Sequence, residues 1–286
     1  MIQLGDFQIH LINDSFARVE AGGVFGLVPR ALWRGYCEPD AENQVPMAYH
    51  NLLIHAHGKH IVVDTGYGRR MTEKQIRNFQ LTRPTGDLLD ALARIGLPPE
   101  AVDLVINTHL HGDHCGGNLI AGDDGALRPA FPNAEYVVQR REYDDALRPN
   151  ERTRATYSAD NFAPLVASGQ MRLLDGDTDL LPGVRGVVTP GHVPGHMSVI
   201  VESGGGSLMF VCDLASWGIH FEKLGWMTAY DVEPLVTLET KRIWQRWALD
   251  TDALLVFPHD PLHAIGRLRS NADGRTALHY VDEAYA

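Results

Sequence analysis

Cysteine is scarce in this chain: Cys37, Cys115 and Cys212 are three in 286 residues, odd in number and far apart. That spacing argues against a disulfide framework. Long apolar runs are missing too, since no stretch approaches the ~18 residues of a membrane span. No basic leader stands before an apolar segment at Met1, where residues 1–12 alternate like a strand instead. A cytoplasmic protein without a membrane partner is expected. Positive charge is also short, with 25 Lys and Arg against 36 Asp and Glu and a net charge of −11. The densest basic stretch, Arg267 to Arg275, reads as ordinary solvated surface. A nucleic-acid partner needs a basic stripe, so none is expected. Internal repeats, low-complexity tracts and linker-like segments are absent, and residues 1–286 are read as one domain.

What the chain has is histidine in a pattern. In Asn107-Thr108-His109-Leu110-His111-Gly112-Asp113-His114, four potential metal ligands occupy six positions. The apolar run 102–106 before them reads as a buried strand. An extended backbone would send His109 and His111 to the same side, because side chains alternate along it. Gly112 is expected to permit a sharp turn that brings Asp113 and His114 round to the same point. Imidazole and carboxylate together suit zinc and other first-row divalent ions. Buried without metal or partners, these groups would cost several kcal/mol of desolvation.

Three later strand-like runs each end on a further ligand type. Residues 184–188 lead to His192, 208–212 to Asp213 and 254–257 to His259. Loops at strand ends are where sites are built. Other histidines read differently. His55, His57 and His60 imitate the motif, but no Asp-His follows, and they are expected on exposed strand positions. His196 and His220 neighbour site loops and are expected to support them or to lie on the surface. Cys115 and Cys212 read as small buried hydrophobes.

The remaining chain alternates strand and helix signals, which indicates a layered α/β architecture. Residues 51–64 read as two strands turning near Gly58, 86–95 as a helix stopped by Gly96 and Pro98, and 231–248 as the longest helix. Residues 14–50 show little periodicity and are expected to be a long loop acting as a lid.

With this ligand set in place, the chain from about Leu52 to His263 resembles the metallo-β-lactamase superfamily of binuclear metallohydrolases. The superfamily's His-x-His-x-Asp-His motif is complete as His109, His111, Asp113 and His114. Its later ligands match His192, Asp213 and His259, and its early Asp-Thr-Gly matches Asp64 to Gly66. The resemblance implies an αββα sandwich of two mixed β-sheets with helices on the outer faces. It implies two divalent metal ions, most often zinc, with manganese, cobalt or iron as other occupants. His109, His111 and His192 would hold one ion, Asp113, His114 and His259 the other, and Asp213 would bridge them. Asp64 would orient a ligand histidine, and Asp113 would shuttle a proton from a hydroxide shared by the metals.

The resemblance further implies hydrolysis. Asp213 separates the chain from the true β-lactamases and aligns it with lactonases, organophosphate hydrolases of the methyl parathion type and glyoxalase-type thioesterases. No basic cluster for a glutathione thioester follows His259. A lactonase or carboxylic esterase is the first expectation, and a phosphotriester or aryl-ester hydrolase the second. A metal-bearing binding or sensory protein is the third, and a di-iron redox role a further one. Acyl-homoserine lactonases of this fold carry a tyrosine shortly after the bridging aspartate, whereas here the stretch is Asp213-Leu214-Ala215-Ser216-Trp217. Ser216 and Tyr230 are the candidates to replace it. Phe25 and Trp33 in the N-terminal segment, with Trp217, Phe221 and Trp226 after Asp213, are expected to line an apolar cleft for a neutral substrate with an acyl or aryl tail. Their alternative use is loop packing or a homodimer contact.

Overall fold

The computed structural model of the chain describes residues 1–271 and 274–281. Strands β1 (Ile2–Leu4), β2 (Phe7–Glu20), β3 (Gln44–Ala56), β4 (Lys59–Val63) and β5 (Leu104–Ile106) open the first sheet. The short hairpin β6 (Leu119–Ala121) and β7 (Leu127–Pro129) stands apart, and β8 (Glu135–Gln139) and β9 (Met171–Leu174) complete that sheet. The second sheet runs β10 (Thr178–Leu181), β11 (Val184–Val188), β12 (Met197–Ser203), β13 (Gly206–Phe210), β14 (Leu254–Val256), β15 (Ile265–Ser270) and β16 (Thr276–Tyr280). Both are mixed: in the first sheet β1 to β4 pair antiparallel and β4, β5, β8 and β9 in parallel, and in the second β13 and β14 pair in parallel among antiparallel neighbours.

Alternation along the central strands explains the layers. Ile61 and Val63, Leu104 and Ile106, and Val199, Val201, Leu208, Phe210, Leu254 and Val256 from the other sheet meet in one core between the sheets. The intervening Val62 and Val105 face outward and pack with Leu88, Ala91 and Leu92 of the helix Leu88–Arg94. On the far side, Ile200, Met209 and Leu255 pack with Ala248 of the helix Pro234–Thr251 and with Phe221. Strands buried on both faces must be apolar at every position, which is why these runs lack polar alternation. The architecture is the expected αββα sandwich. No helix among the described residues is long and apolar enough to cross a membrane.

One expectation is corrected here. Residues 14–50 are not a long loop, because β2 and β3 pair antiparallel through them, from Gln8↔His55 to Glu20↔Gln44. A register shift between Asn13 and Ser15 inserts Asp14 as an extra residue. That bulge breaks the two-residue period from which the strand would have been read. The segment between the strands, 21–43, is the irregular part, with short helices at Ala21–Phe25 and Arg30–Trp33.

Candidate metal centre

Parallel pairing explains how distant residues meet. Val63 pairs with Ile106, and Phe210 with Val256, so each pair of strands ends at the same level. Asp64 and the segment 107–111 emerge from the first pair, and Asp213 and His259 follow the second. Within that segment the sharp turn is corrected in detail. Gly112 does not have a left-handed backbone; instead it begins the one-turn helix Gly112–Cys115, which carries Asp113 and His114. The left-handed positions are Asp64, at φ 58°, and Cys212, at φ 52°, next to Asp213. Non-glycine residues held there store local strain, which clusters at functional sites. Gly117 matters for a different reason: a Cβ on it would lie 2.2 Å from the Thr65 carbonyl oxygen, so the Asp-Thr-Gly loop and the metal-motif helix could not approach.

Seven side chains converge. His109, His111, His192 and Asp213 bring one ligand atom each within 4.8 Å of one another, and so do Asp113, His114 and His259. Asp213 reaches both groups, with Oδ2 3.2 Å from His192 Nε2 and Oδ1 3.1 Å from His259 Nε2. Asp113 is the most exposed of the set, with about a fifth of its side chain accessible. Burial and neighbouring imidazoles hold His109 and His111 well below the usual histidine range, so both are neutral. Burial would raise Asp213, but His259 and His192 beside it hold its carboxyl well below the usual range.

Hydrogen bonds on the far ring nitrogens decide which atoms face inward. His114 Nδ1 donates to Asp64 Oδ2 at 2.9 Å, His192 Nδ1 to Asp231 Oδ1 at 3.0 Å and His259 Nδ1 to the Ala48 carbonyl at 2.9 Å. A carbonyl or carboxylate oxygen accepts, so each Nδ1 carries a hydrogen and each Nε2 is turned into the cluster. Burial would lower His114 and His192, but Asp113 beside the first and Asp213 beside the second hold both above the usual histidine range. His114 Nε2 and His259 Nε2 then face each other at 3.1 Å. His192 Nε2 stands likewise 3.1 Å from His111 Nδ1. Ring nitrogens facing one another at such distances, lined with carboxylates, call for a positive charge among them, and the donor set of imidazole nitrogen and carboxylate oxygen fits zinc-like ions.

Asp64 is fixed in turn, accepting from the Thr108 backbone N–H and hydroxyl, each at 2.8 Å. His196 is buried rather than on the surface. Its Nε2 accepts from the Asp213 backbone N–H at 3.1 Å, and burial together with the neighbouring His192 pulls its pKa down to about 3. His220 is also buried. His57 is exposed and His55 and His60 half-buried, away from the centre. Cys115 and Cys212 are buried in the apolar cores, Cys212 with its thiol 2.9 Å from Thr108 Oγ1.

A cavity of about 430 Å³ opens over the centre. His111, Asp113, His192, Asp213 and His259 form its floor, and Val19, Met47, Met71 and Phe79 supply apolar wall. Tyr230 and Ser216 both line it. The Ser216 hydroxyl is already donated to Asp213 Oδ1 at 3.0 Å. Tyr230 is exposed, at 44% of its surface, yet partial desolvation at the cavity wall and the nearby Asp113 charge raise its phenol, which therefore stays protonated.

The expected cleft aromatics lie elsewhere. Phe25, Trp33, Trp217 and Phe221 are buried, and neither they nor Trp226 line the cavity. Phe25 stacks on Trp33 at 4.6 Å and meets Trp217 edge-on at 5.5 Å, with Trp226 packed alongside. Phe221 belongs to the outer core of the second sheet. Phe25, Trp33, Trp217 and Trp226 form a small core of their own with the segment 21–43, which apolar content alone does not distinguish from a binding wall. Sequence reading also missed Asp231 and Glu142. Asp231 reads only as a residue ahead of a helix, and nothing in the sequence couples it to His192. Buried Glu142 accepts from the Leu110 N–H at 2.9 Å and the Tyr157 hydroxyl at 3.0 Å, tying the histidine segment to the cavity wall.

Comparison with known proteins agrees with the geometry. Residues 48–221 match the family model of the metallo-beta-lactamase superfamily. An N-acyl homoserine lactonase of Bacillus thuringiensis is 30% identical over 214 residues, covering 70% of this chain and 76% of that protein. A probable metal-dependent hydrolase from Staphylococcus aureus superposes with a TM-score of 0.87 at 27% identity, covering 99% of this chain and all of the other. AidC, a dizinc quorum-quenching lactonase, superposes at 0.78 over 100% of this chain and 97% of its own, and at 22% identity that likeness is one of fold. The chain therefore belongs to the metallo-beta-lactamase superfamily, as one of its hydrolases.

Proposed function

We propose that the chain is a binuclear metal-dependent hydrolase that opens lactones or cleaves related carboxylic esters, with N-acyl homoserine lactones as the substrate class its relatives point to. The observation that carries this reading is the shared Asp213, one oxygen toward His192 and the other toward His259. His109, His111 and His192 would hold one ion, Asp113, His114 and His259 the other, with Asp213 between them. Two divalent ions, zinc foremost, supply Lewis acidity at a carbonyl oxygen and a nucleophile from water at neutral pH.

The protein's own groups do the rest. Asp113, open to the cavity, is placed to receive a proton and return it to the leaving oxygen. Tyr230, protonated and free of the commitment that binds Ser216, is placed to donate to the substrate oxygen. Asp64 and Asp231 keep His114 and His192 in the tautomer that presents Nε2. Val19, Met47, Met71 and Phe79 offer an apolar wall to an acyl tail. The three unpaired, buried cysteines suit a cytoplasmic location.

Elemental analysis of the purified protein is expected to find close to two metals per chain. Proton release on acyl lactones is expected to exceed that on a phosphotriester panel. Less than one metal per chain removes the mechanism, and preference for phosphotriesters reassigns the substrate. Bound metal with no turnover of either makes the chain a binding protein.

A further inference from the structure

Arg70 is a cation without a counterion inside the cavity. It is the one lysine or arginine among the described residues lining it. Its neighbour Arg69 is paired in the ordinary way, with Asp87 at 2.5 Å and Asp90 at 2.6 Å. Among the described residues Arg70 meets no carboxylate. Only its Nη2 is engaged, by the neutral oxygens Asn161 Oδ1 and the Asp160 carbonyl. Its Nε is buried with no partner, and Nη1 makes no hydrogen bond. A guanidinium offers five N–H donors and no acceptor, so whatever completes it must bring acceptor oxygen. In a chain of net charge −11, a half-buried arginine left unpaired beside the reaction centre is better explained by a ligand than by packing.

We propose that Arg70 is a specificity-determining residue: it binds an acceptor oxygen, carbonyl or carboxylate, that the substrate carries outside the bond being cleaved. The inference rests on the lactone reading above and refines it. Asn161 fixes one edge of the guanidinium and leaves the Nη1 donors to the substrate. The apolar wall of the same cavity takes the rest of the tail. A plain alkyl lactone would leave those donors unanswered, and a lactone with an amide or a carboxylate on its side chain would satisfy them.

The test compares three γ-lactones of equal length whose side chains carry an N-acyl amide, a carboxylate or only methylenes, with the wild type, Arg70→Met and Arg70→Lys. The quantity read is the ratio of KM values between the alkyl and the oxygen-bearing lactones. The wild type is expected to favour an oxygen-bearing lactone by about ten- to a hundredfold, the size of one hydrogen bond to a charged group. Arg70→Met should bring that ratio close to one. The amide and carboxylate arms identify which oxygen is bound, and Arg70→Lys should keep discrimination only for the carboxylate. No discrimination in the wild type, or a ratio that survives Arg70→Met, overturns the proposal. Binding of the corresponding lactams, measured by calorimetry on the metal-loaded wild type, gives the same ratio without turnover. Equal lactam affinities overturn the role of Arg70 even where a variant fails to fold. Absent turnover with discriminating lactams overturns the lactone reading instead.

Discussion

Asp231 Oδ1 lies 3.0 Å from His192 Nδ1, between residues 39 positions apart, and the Thr228 hydroxyl donates to the same oxygen at 2.9 Å. Both partners of the first bond are buried. The backbone repeats the link, since the Val232 N–H donates to the His192 carbonyl at 3.1 Å. The loop after Trp226 thus sets the orientation of His192, a proposed metal ligand, from outside the cluster. Asp231→Asn is expected to weaken metal affinity by about 10- to 100-fold, the usual consequence of losing a carboxylate behind a ligand imidazole. Chelator competition measures it, and unchanged affinity would show that the bond is incidental.

Asp113 is the proposed ligand most open to the cavity, and its loss should affect chemistry more than folding. Asp113→Asn is expected to lower kcat by about 10²- to 10⁴-fold, the range of general acid–base catalysis. Circular dichroism should stay that of the wild type. Near-wild-type turnover would place the proton shuttle elsewhere.

Phe25 is the hub of the small aromatic core beneath the segment 21–43, fully buried between Trp33, Trp217 and Trp226. Phe25→Ala removes a large ring from a packed site and is expected to cost about 3–5 kcal/mol. Denaturant unfolding reads that loss. Because the ring does not line the cavity, relative preference among acyl-chain lengths should hold in the fraction that stays folded. A changed preference would return Phe25 to the substrate.

Lys241 is a buried cation on the outer side of the second sheet, donating to the carbonyls of His220 at 3.0 Å and Trp226 at 2.6 Å. Burial pulls its pKa from 10.5 down to about 8, against a weaker opposing pull from Asp231. The unfolded chain therefore holds this proton over a pH range in which the folded protein has released it. Stability from this group is complete above 10.5 and is lost as pH falls through 8. The difference in unfolding free energy between the wild type and Lys241→Met should grow in favour of the wild type from pH 8 to 10.5, by up to about 3 kcal/mol. A difference flat with pH would show that Lys241 titrates normally.

Much of this molecule was legible before folding. The spacing His109, His111, Asp113, His114 and the ligand types after three apolar runs follow from residue chemistry and strand periodicity, which are local. A layered α/β architecture was readable for the same reason, from apolar runs such as 208–212 and 254–257, whereas the αββα arrangement was implied by the family resemblance. The extension of β2 and β3 past Asp14 was hidden because one bulge residue breaks the alternation. Tertiary structure alone decided which carboxylate stands behind which histidine, for Asp231 and His192 carry no mutual signal in the sequence. It also decided that Phe25 and Trp217 pack against each other while Arg70 faces the cavity with its charge unanswered. Apolar and charged character are written in each residue, but the neighbour that satisfies it is chosen only when parallel strands bring distant segments to one end of the sandwich.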